Sequence, residues 1–514
     1  MSDGSEYTRR SRFRLGPTVI APLVIAAFVG LNLLYVAFAC PFDLSPDEAH
    51  YWDWSRHLDY CYYSKGPLVA WLIRGSCAAF GDTPFAVRLP AVLCGGLLLL
   101  GLHRLTARAT GDTRLALGVV LVAMTLPPVT AGSVLMTIDP PFLACWVWAA
   151  VLFQDGEARR AGLLVALGTL AKLTMLLFPA CVLGWLVATR QPFARRHVVF
   201  FTLSALGLVP LLVWNAAHDW LGVRHLLGHG GAGEPVAGPI GVLALLGGQL
   251  GLLGVWFVFW LLAAVRFRSD ARIAFLWWLS VPVFGLFLLA SFRTTGQPNW
   301  PLPAYLTGAV LAAVWVKGRW PQRAIRVWVW AAVGVGVAAG GVLRYPGTVR
   351  PALARLVPLP TADRPAPVRQ LDPTARLLGW RHLAERVDAV RDRIAAETGE
   401  EPLLAGMTWV IPGELGFYCR GHPTVYSFGA ALADRFSQYD VWRPNPVADA
   451  QAFAGRTFVY VGEAIPDGTF RQVELAEVVV ARDNYIPVAN WKIWVCRGFL
   501  GFRNPADRDH PIRY

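Results

Sequence analysis

The sequence contains few charged residues and few cysteines for its length. Only 16% of the 514 residues are Asp, Glu, Lys or Arg, whereas 55% are hydrophobic. One soluble core cannot bury so much apolar surface, so the composition excludes an ordinary soluble protein and predicts a multi-pass membrane protein. The eight cysteines form no CxxC pair and no zinc-type spacing, so no structural metal site or disulfide framework is indicated. Cys419 and Cys496 are either a disulfide or two free buried thiols.

The net charge of +13 indicates membrane topology rather than nucleic-acid binding. The basic residues lie in short gaps between apolar runs, and the positive-inside rule assigns such gaps to the cytoplasm. The partner that this pattern predicts is the lipid bilayer, not a nucleic acid. The basic gaps contain residues 9–14, Arg104, Arg108, Arg114, Arg159, Arg160, Arg190, Arg195, Arg196, Arg266, Arg268, Arg272, Lys317, Arg319, Arg323 and Arg326.

The apolar runs predict a mainly α protein, a polytopic transmembrane helical bundle with about eleven spans. The first run is too long for a signal peptide and is expected to remain as an anchor. Segment 161–189 is either one span or two short helices that turn near Lys172; only two helices keep every basic gap on one side, so we predict two. The other candidate spans are 17–40, 84–103, 115–132, 140–154, 198–216, 240–265, 273–291, 300–316 and 327–343.

Three regions follow from the change in composition along the chain. Residues 1–343 form the membrane domain, in which loop 41–83 carries two short surface helices, 48–58 and 67–80. Residues 344–375 are a proline-rich connector. Residues 376–514 are predicted to form a small soluble α/β domain on the extracytoplasmic side, with a helix at 377–396 and strands at 403–406, 457–461 and 478–481.

The gaps that are poor in Lys and Arg hold nearly all the unusual polar residues of the membrane region. The predicted topology places all of these gaps on the extracytoplasmic face. Ionisable residues next to membrane spans are commonly functional, so their convergence predicts a site on that face. The residues are Asp47, Glu48, Lys65, Asp139, Lys172, His218, Asp219, Arg293 and Asn299.

The acidic candidates are Asp47, Glu48 and Asp139. Ser45-Pro46-Asp47-Glu48 fits a capping box in which Glu48 reaches back to Ser45, and Asp139 before a proline fits an N-cap. These structural interpretations are compatible with catalysis, because a helix N-terminus holds a carboxylate rigid and ionised. Two such carboxylates on one face suit the activation of an acceptor hydroxyl or amine.

The basic candidates are Lys65, Lys172 and Arg293. Each is explained singly by a side chain that snorkels to the membrane surface, but three cations on one face also suit a phosphate at headgroup depth. His218 and loop 225–239 either line a pocket, bind a metal or belong to an ordinary flexible loop. The aromatic group around Asn299 and Trp300 is either a membrane-interface belt or a surface on which a sugar stacks.

Several of these segments together resemble glycosyltransferase family 39, the protein O-mannosyltransferase-like enzymes of the C-type superfamily, which also includes the lipid A aminoarabinose transferases. The resemblance covers about residues 17–320. The matching pieces are Asp47-Glu48-Ala49-His50-Tyr51-Trp52, Tyr62-Tyr63-Ser64-Lys65-Gly66-Pro67-Leu68, Met136-Thr137-Ile138-Asp139, Leu170-Ala171-Lys172-Leu173-Thr174, Trp214-Asn215, His218-Asp219-Trp220 and Pro298-Asn299-Trp300-Pro301.

The resemblance implies a membrane enzyme that moves a hexosyl or pentosyl group from a polyprenyl-phosphate donor to an extracytoplasmic lipid, glycan or protein by inverting displacement. It implies that Asp47 activates the acceptor while Glu48 and Asp139 shape that site. Lys65, Lys172 and, more weakly, Arg293 would bind the donor phosphate. The substrate pocket would include Tyr62, Tyr63, His218, Asn299 and Trp300. Gly66 departs from the family pattern, where a second proline is expected.

Two other classes of function are considered. A transporter or flippase of an amphiphilic lipid-linked substrate would place ionisable residues at mid-span depth and on both sides, whereas here they gather on one side. A membrane anchor would instead act through residues 345–514. No cofactor is predicted, although a divalent cation stays open.

Overall fold

Helices make up most of the chain, and one small sheet lies near its C-terminus. The structure, a computed structural model, describes residues 16–229, 237–267, 271–361, 365–432, 434–463 and 465–502. The membrane region contains helices α1 Pro17–Leu34, α2 Pro46–Arg56, α3 Leu68–Phe80, α4 Pro84–Thr110, α5 Thr113–Ala123, α6 Pro127–Gly132, α7 Asp139–Gln154, α8 Ala158–Ala171, α9 Leu177–Ala188, α10 Arg195–Ala205, α11 Leu208–Ala217, α12 Leu221–His229, α13 Gly238–Leu253, α14 Val255–Val265, α15 Ala271–Trp278, α16 Val281–Ala290, α17 Leu302–Lys317 and α18 Arg323–Arg344.

Helices occur at each predicted span, but the count of eleven is not confirmed. Within the described residues, five helices are long and apolar enough to cross a membrane, or six if a bent pair counts as one span. The five are Thr18–Ala39, Pro84–Thr110, Arg195–Ala217, Ile273–Ala290 and Arg323–Arg344. The candidate span over 240–265 is bent: α13 and α14 meet at 114°. Gly254 lies at the bend with φ +56°, where residues with a side chain are strained.

The helical segment 161–189 is interrupted at Lys172, as predicted. Helix α8 ends at Ala171, and Lys172 has extended backbone angles, φ −151° and ψ 125°. A 3₁₀ turn over Leu173–Leu176 precedes α9. The break leaves the Lys172 side chain at the end of a helix rather than along its apolar side.

The C-terminal region forms an α/β unit, as predicted. Its remaining elements are α19 Arg350–Ala354, α20 Trp380–Thr398, β1 Leu403–Gly406, α21 Val410–Tyr418, β2 Val425–Ser427, α22 Gln438–Val441, β3 Phe458–Val461, β4 Phe470–Asp483 and β5 Ile486–Phe499. The sheet order is β2-β1-β3-β5-β4; β1 is parallel to β2 and β3, and β5 is antiparallel to β3 and β4. Strand β5 has no counterpart among the predicted strands. Cys419 and Cys496 are both buried, free thiols.

Loop 41–83 packs tightly against this C-terminal unit. Gly413 of α21 lies so close to α2 that a Cβ there would come within 2.9 Å of the Ala49 carbonyl carbon. Just before α2, Asp43 Oδ1 accepts from Arg381 Nε at 3.0 Å and Oδ2 accepts from Trp380 N at 2.9 Å. Since α2 also packs against α3 of the membrane region, it is fixed from both sides.

Candidate active site

Asp47 lies in the first turn of α2, which is held by the predicted capping box. Ser45 Oγ accepts from Glu48 N at 3.2 Å, and Glu48 Oε2 accepts from Ser45 N at 2.8 Å. The cap does not use Asp47, whose Oδ1 accepts a long hydrogen bond of 3.4 Å from Tyr51 Oη. The capped turn therefore fixes the backbone of Asp47 and leaves its carboxylate available.

Glu48, in contrast, is fully engaged inside the protein. Its two carboxylate oxygens accept from Arg88 Nε at 3.0 Å and Arg88 Nη2 at 3.1 Å, and Oε1 also accepts from Met136 N at 3.0 Å. Both side chains of the ion pair are at most 1% exposed. A buried pair of this kind is stable only with such complete hydrogen bonding, so Glu48 ties α2 to α4 and to the segment that leads to Asp139.

Asp139 connects two other predicted site residues. Its Oδ1 accepts from Lys172 Nζ at 2.7 Å and its Oδ2 accepts from Asn299 Nδ2 at 2.7 Å. The prediction that Asp139 is an N-cap is wrong by one position: α7 begins at Asp139, Ile138 is the cap, and no side chain caps the helix. The carboxylate is instead directed to Lys172 and Asn299, which come from distant parts of the chain.

Lys65 is brought next to α8 by a close backbone contact. A Cβ on Gly66 would lie 2.1 Å from the Leu170 carbonyl oxygen, which only glycine avoids. Leu170 is two residues before Lys172, so this contact brings the Lys65 loop to the helix end that carries Lys172. The departure from the family pattern at Gly66 therefore gives a tightly fixed loop.

The charges of these residues act on one another. Burial raises the pKa of Asp47, and Lys65 and Arg435 oppose that rise. Burial also lowers the pKa of Lys65, as does the like charge of Lys172, while Asp47 and Asp139 oppose it. The Asp47 residue as a whole is exposed, so the protein that surrounds and desolvates its carboxylate forms the wall of an open recess rather than a closed core.

An apolar cavity of about 190 Å³ adjoins this recess. Asp139 and Asn299 contribute polar groups to its lining, and most of the remaining wall is apolar. The other lining residues are Cys94, Gly95, Leu98, Pro128, Val129, Ala131, Gly132, Ser133, Leu135, Thr137, Pro140, Leu143, Leu252 and Leu302. Such a cavity suits a hydrocarbon segment joined to a polar group.

The predicted pocket aromatics on the first loop have structural partners. Tyr62 is buried, stacks on Trp54 at 4.3 Å and donates from Oη to the Trp54 carbonyl at 3.0 Å. Tyr63 Oη lies 2.9 Å from His225 Nδ1. These contacts stabilise the loop that carries Lys65, and they leave a direct role with substrate as a prediction.

Three further predicted residues lie away from the Asp139 contacts. His218 stacks on Trp214 at 4.0 Å, and its Nδ1 lies 2.8 Å from the Trp214 carbonyl oxygen. Trp300 is half-buried, with its ring 6.0 Å from Phe287. The Arg293 side chain is exposed and makes no ion pair or hydrogen bond within the described residues, so its role stays a prediction.

Arg88 is a partner of the site that was not predicted from the sequence. Its position gave one signal of a structural role, because Arg88 is an arginine within an otherwise apolar span.

For a metal, no group of three or more His, Cys, Asp or Glu side chains in the described ranges is arranged to hold an ion. Part of the loop considered for metal binding, residues 230–236, lies outside those ranges.

Comparison with solved structures defines the class of fold. The chain is similar to ArnT from Cupriavidus metallidurans in the apo state, with a TM-score of 0.61 and 15% identity over 93% of this chain and 98% of that one. The structure of the same protein bound to undecaprenyl phosphate gives a TM-score of 0.58 and 16% identity over 93% and 97% of the two chains. The protein therefore has the C-type glycosyltransferase fold of ArnT.

Sequence comparison then gives the family. Residues 64–214 match the model described as dolichyl-phosphate-mannose-protein mannosyltransferase. The lipid A galacturonosyltransferase RgtD of Rhizobium johnstonii is 31% identical over 58% of this chain and 66% of that protein. An undecaprenyl phosphate-alpha-4-amino-4-deoxy-L-arabinose arabinosyl transferase 2 of Pseudomonas fluorescens is 27% identical over 62% and 53%. The resemblance to glycosyltransferase family 39 is confirmed, and the chain spans 66% and 53% of the lengths of these two relatives.

Proposed function

We propose that this protein is a membrane glycosyltransferase that moves a sugar from a polyprenyl-phosphate donor to a lipid acceptor at the extracytoplasmic face. The observation that carries the proposal is an accessible carboxylate, Asp47, in one recess with the cations Lys65 and Lys172. The names of the relatives support the substrate classes, since they include a lipid A transferase and an undecaprenyl phosphate-linked arabinosyl transferase.

Asp47 has the properties of a general base. Its raised pKa makes the ionised carboxylate a better proton acceptor than an ordinary aspartate. The acceptor oxygen attacks the anomeric carbon of the donor as its proton passes to Asp47. The bond between that carbon and the phosphate oxygen breaks, the polyprenyl phosphate departs, and the configuration inverts.

Lys65 and Lys172 would stabilise the charge of the departing phosphate. Fixed cations at the position where charge develops are among the largest contributions to catalysis. Asp139 holds Lys172 at 2.7 Å and is therefore a positioning residue for the donor side. The adjoining cavity of about 190 Å³ is too small for a whole polyprenol, so it would take only the isoprenoid units next to the phosphate.

The proposal is tested with Asp47→Asn in detergent-solubilised enzyme. Undecaprenyl-phosphate donors carrying galacturonic acid or 4-amino-arabinose are offered with lipid A, and transfer is followed by mass spectrometry. We expect Asp47→Asn to lower the rate at least about 100-fold, the range for loss of a general base. Asp467→Asn, which changes an exposed carboxylate of the C-terminal domain, is the control and should keep its rate. An active Asp47→Asn enzyme would refute the assignment.

The extracytoplasmic orientation is part of the proposal and has its own test. Asp47 and Arg293 are both exposed, so cysteines introduced there should react with a membrane-impermeant maleimide added from outside. If either position reacted only from the cytoplasmic side, the topology would be wrong, and a path through the membrane, as in a transporter, would be favoured instead.

A further inference from the structure

A segment of the C-terminal domain, residues 434–442, lies directly over the first extracytoplasmic loop. Gln438 Oε1 accepts from Tyr63 N at 2.8 Å. The Phe436 ring lies 5.2 Å from the Tyr63 ring, and the Tyr439 ring lies 5.0 Å from the ring of His50 on α2. This segment is therefore in contact with both the Lys65 loop and the helix that carries Asp47.

Arg435 extends from this segment toward the recess. Its guanidinium carbon lies 4.1 Å from the centre of the Trp409 ring, and that ring lies 5.3 Å from His50, three residues after Asp47 on α2. The charge of Arg435 acts on Asp47, Lys65 and His50. The C-terminal domain thus supplies a cation to a site whose other charged residues belong to the membrane domain.

One buried donor of Arg435 has no partner. Its Nε is buried and has no partner, and the side chain forms no ion pair within the described part of the chain. Buried arginines elsewhere are paired with carboxylates: Arg88 with Glu48, Arg350 with Asp372 and Arg391 with Asp388. Arg435 is half-buried, so its guanidinium is open to an anionic ligand that supplies the missing partner.

We propose that Arg435 binds an anionic group of the acceptor lipid and so makes the C-terminal domain part of the acceptor site. The proposal rests on the proposed function. The acceptor side is favoured because Lys172, with its partner Asp139, lies beside the apolar cavity, whereas Arg435 reaches the recess from the soluble domain. A guanidinium positioned by an indole ring can bind a phosphate or a carboxylate through two parallel hydrogen bonds.

The test compares Arg435→Gln with wild-type enzyme on two acceptors, lipid A with its phosphates and the same lipid A after chemical dephosphorylation. We expect the variant to raise KM for the phosphorylated acceptor about tenfold, the effect of losing one charged hydrogen-bonded contact. Its kcat, and its KM for the dephosphorylated acceptor, should stay close to the wild-type values. Arg435→Lys should recover part of the loss, because it restores the charge but not the planar guanidinium that forms two parallel hydrogen bonds.

Binding measurements separate this proposal from a donor role and from the proposed function itself. Arg435→Gln should retain wild-type affinity for undecaprenyl phosphate and should lose the rise in melting temperature that lipid A gives to the wild type. Arg420→Gln, which removes an exposed arginine paired with Asp392, is the control. Equal losses on both acceptors, or loss of undecaprenyl phosphate binding, would overturn the role of Arg435. Wild-type enzyme that binds lipid A but transfers no sugar would overturn only the proposed function.

Discussion

Glu48 and Arg88 form a buried ion pair in which Nε and Nη2 of the arginine approach the two carboxylate oxygens at 3.0 and 3.1 Å. The same carboxylate accepts from Met136 N, three residues before Asp139. One side chain therefore joins the capped turn that carries Asp47 to the segment that carries Asp139. We infer that Glu48 acts by positioning, and its expected role in shaping the site stays a prediction.

Glu48→Gln should destabilise the protein strongly. The variant leaves the Arg88 charge buried without its partner, and breaking a buried pair in this way costs about 3–5 kcal/mol. We expect a lower melting temperature and reduced transfer. The double variant Glu48→Gln/Arg88→Gln should recover part of the stability, because it removes both charges together. A Glu48→Gln enzyme of wild-type stability would contradict the positioning role.

Gly66→Ala should impair donor binding through the position of Lys65. The new Cβ would lie 2.1 Å from the Leu170 carbonyl oxygen, so the loop would have to move away from α8. We expect weaker binding of undecaprenyl phosphate and transfer reduced about tenfold or more, since shifts of about 1 Å have large effects on rate. Gly75→Ala is the matched control, because nothing lies within 4 Å of its Cβ position; equal effects of both substitutions would refute the explanation.

Substitutions of Lys172 and Asp139 should have different effects on the binding of the lipid phosphate, even though the two side chains form one ion pair. Lys172→Met removes a proposed phosphate ligand, so undecaprenyl phosphate should bind about tenfold more weakly. Asp139→Asn releases Lys172 from its carboxylate partner, and we expect affinity for the lipid phosphate to be retained or increased while turnover falls. Titration by intrinsic fluorescence measures the affinity of both variants for undecaprenyl phosphate. Parallel losses of affinity would argue against Lys172 as a phosphate ligand.

The rate of transfer should depend on pH through Asp47 and Lys65 in opposite directions. Asp47 must be ionised to accept a proton, and its pKa lies above the ordinary value of 3.8. The acid limb of the pH–rate profile should therefore be shifted to higher pH. Lys65 must be charged to bind phosphate, and its pKa lies below the ordinary 10.5, so the alkaline limb should be shifted downward. Lys65→Arg should move the alkaline limb to higher pH, because a guanidinium stays protonated. A pH–rate profile of kcat/KM is the measurement, and an unchanged alkaline limb would exclude Lys65 as its cause.

The raised pKa of Asp47 also has a consequence for stability. When a folded-state acid has a raised pKa, its ionised form destabilises the fold above that pKa, and stability increases as the pH falls through it. Asp47→Asn should therefore melt at the same temperature as the wild type or higher near neutral pH, and its melting temperature should lose this part of its pH dependence. A clearly lower melting temperature would show that Asp47 stabilises the fold.

The features predicted well from the sequence are those that depend on local spacing. The capping box joins residues three apart, and the break at Lys172 follows from charge and span length, so both were predicted correctly. The bend at Gly254 was missed because the hydrophobicity of an apolar run does not show where the helix axis changes direction. The cap at Asp139 was wrong because Lys172 and Asn299, 33 and 160 residues away, bind the carboxylate instead.

Contacts between residues far apart in the chain could not be predicted from the sequence. Arg88 pairs with a glutamate 40 residues away, and Arg435 reaches α2 from the far end of the chain. Neither residue lies in a motif whose spacing indicates its partner, because such pairs arise only when the chain folds. Convergence of charges on one face was predictable from topology, whereas the identity of each contact depended on tertiary structure.

The packing of the first loop against the C-terminal domain limits how this enzyme can be recombined with its relatives. Arg56 donates to the His422 carbonyl at 3.0 Å, and Leu44 N donates to Tyr418 Oη at 2.6 Å, so residues 41–66 fit one particular C-terminal unit. A chimera that exchanges either part alone would place mismatched surfaces together at the recess. Transplanting acceptor preference between homologues therefore requires that both segments be moved together.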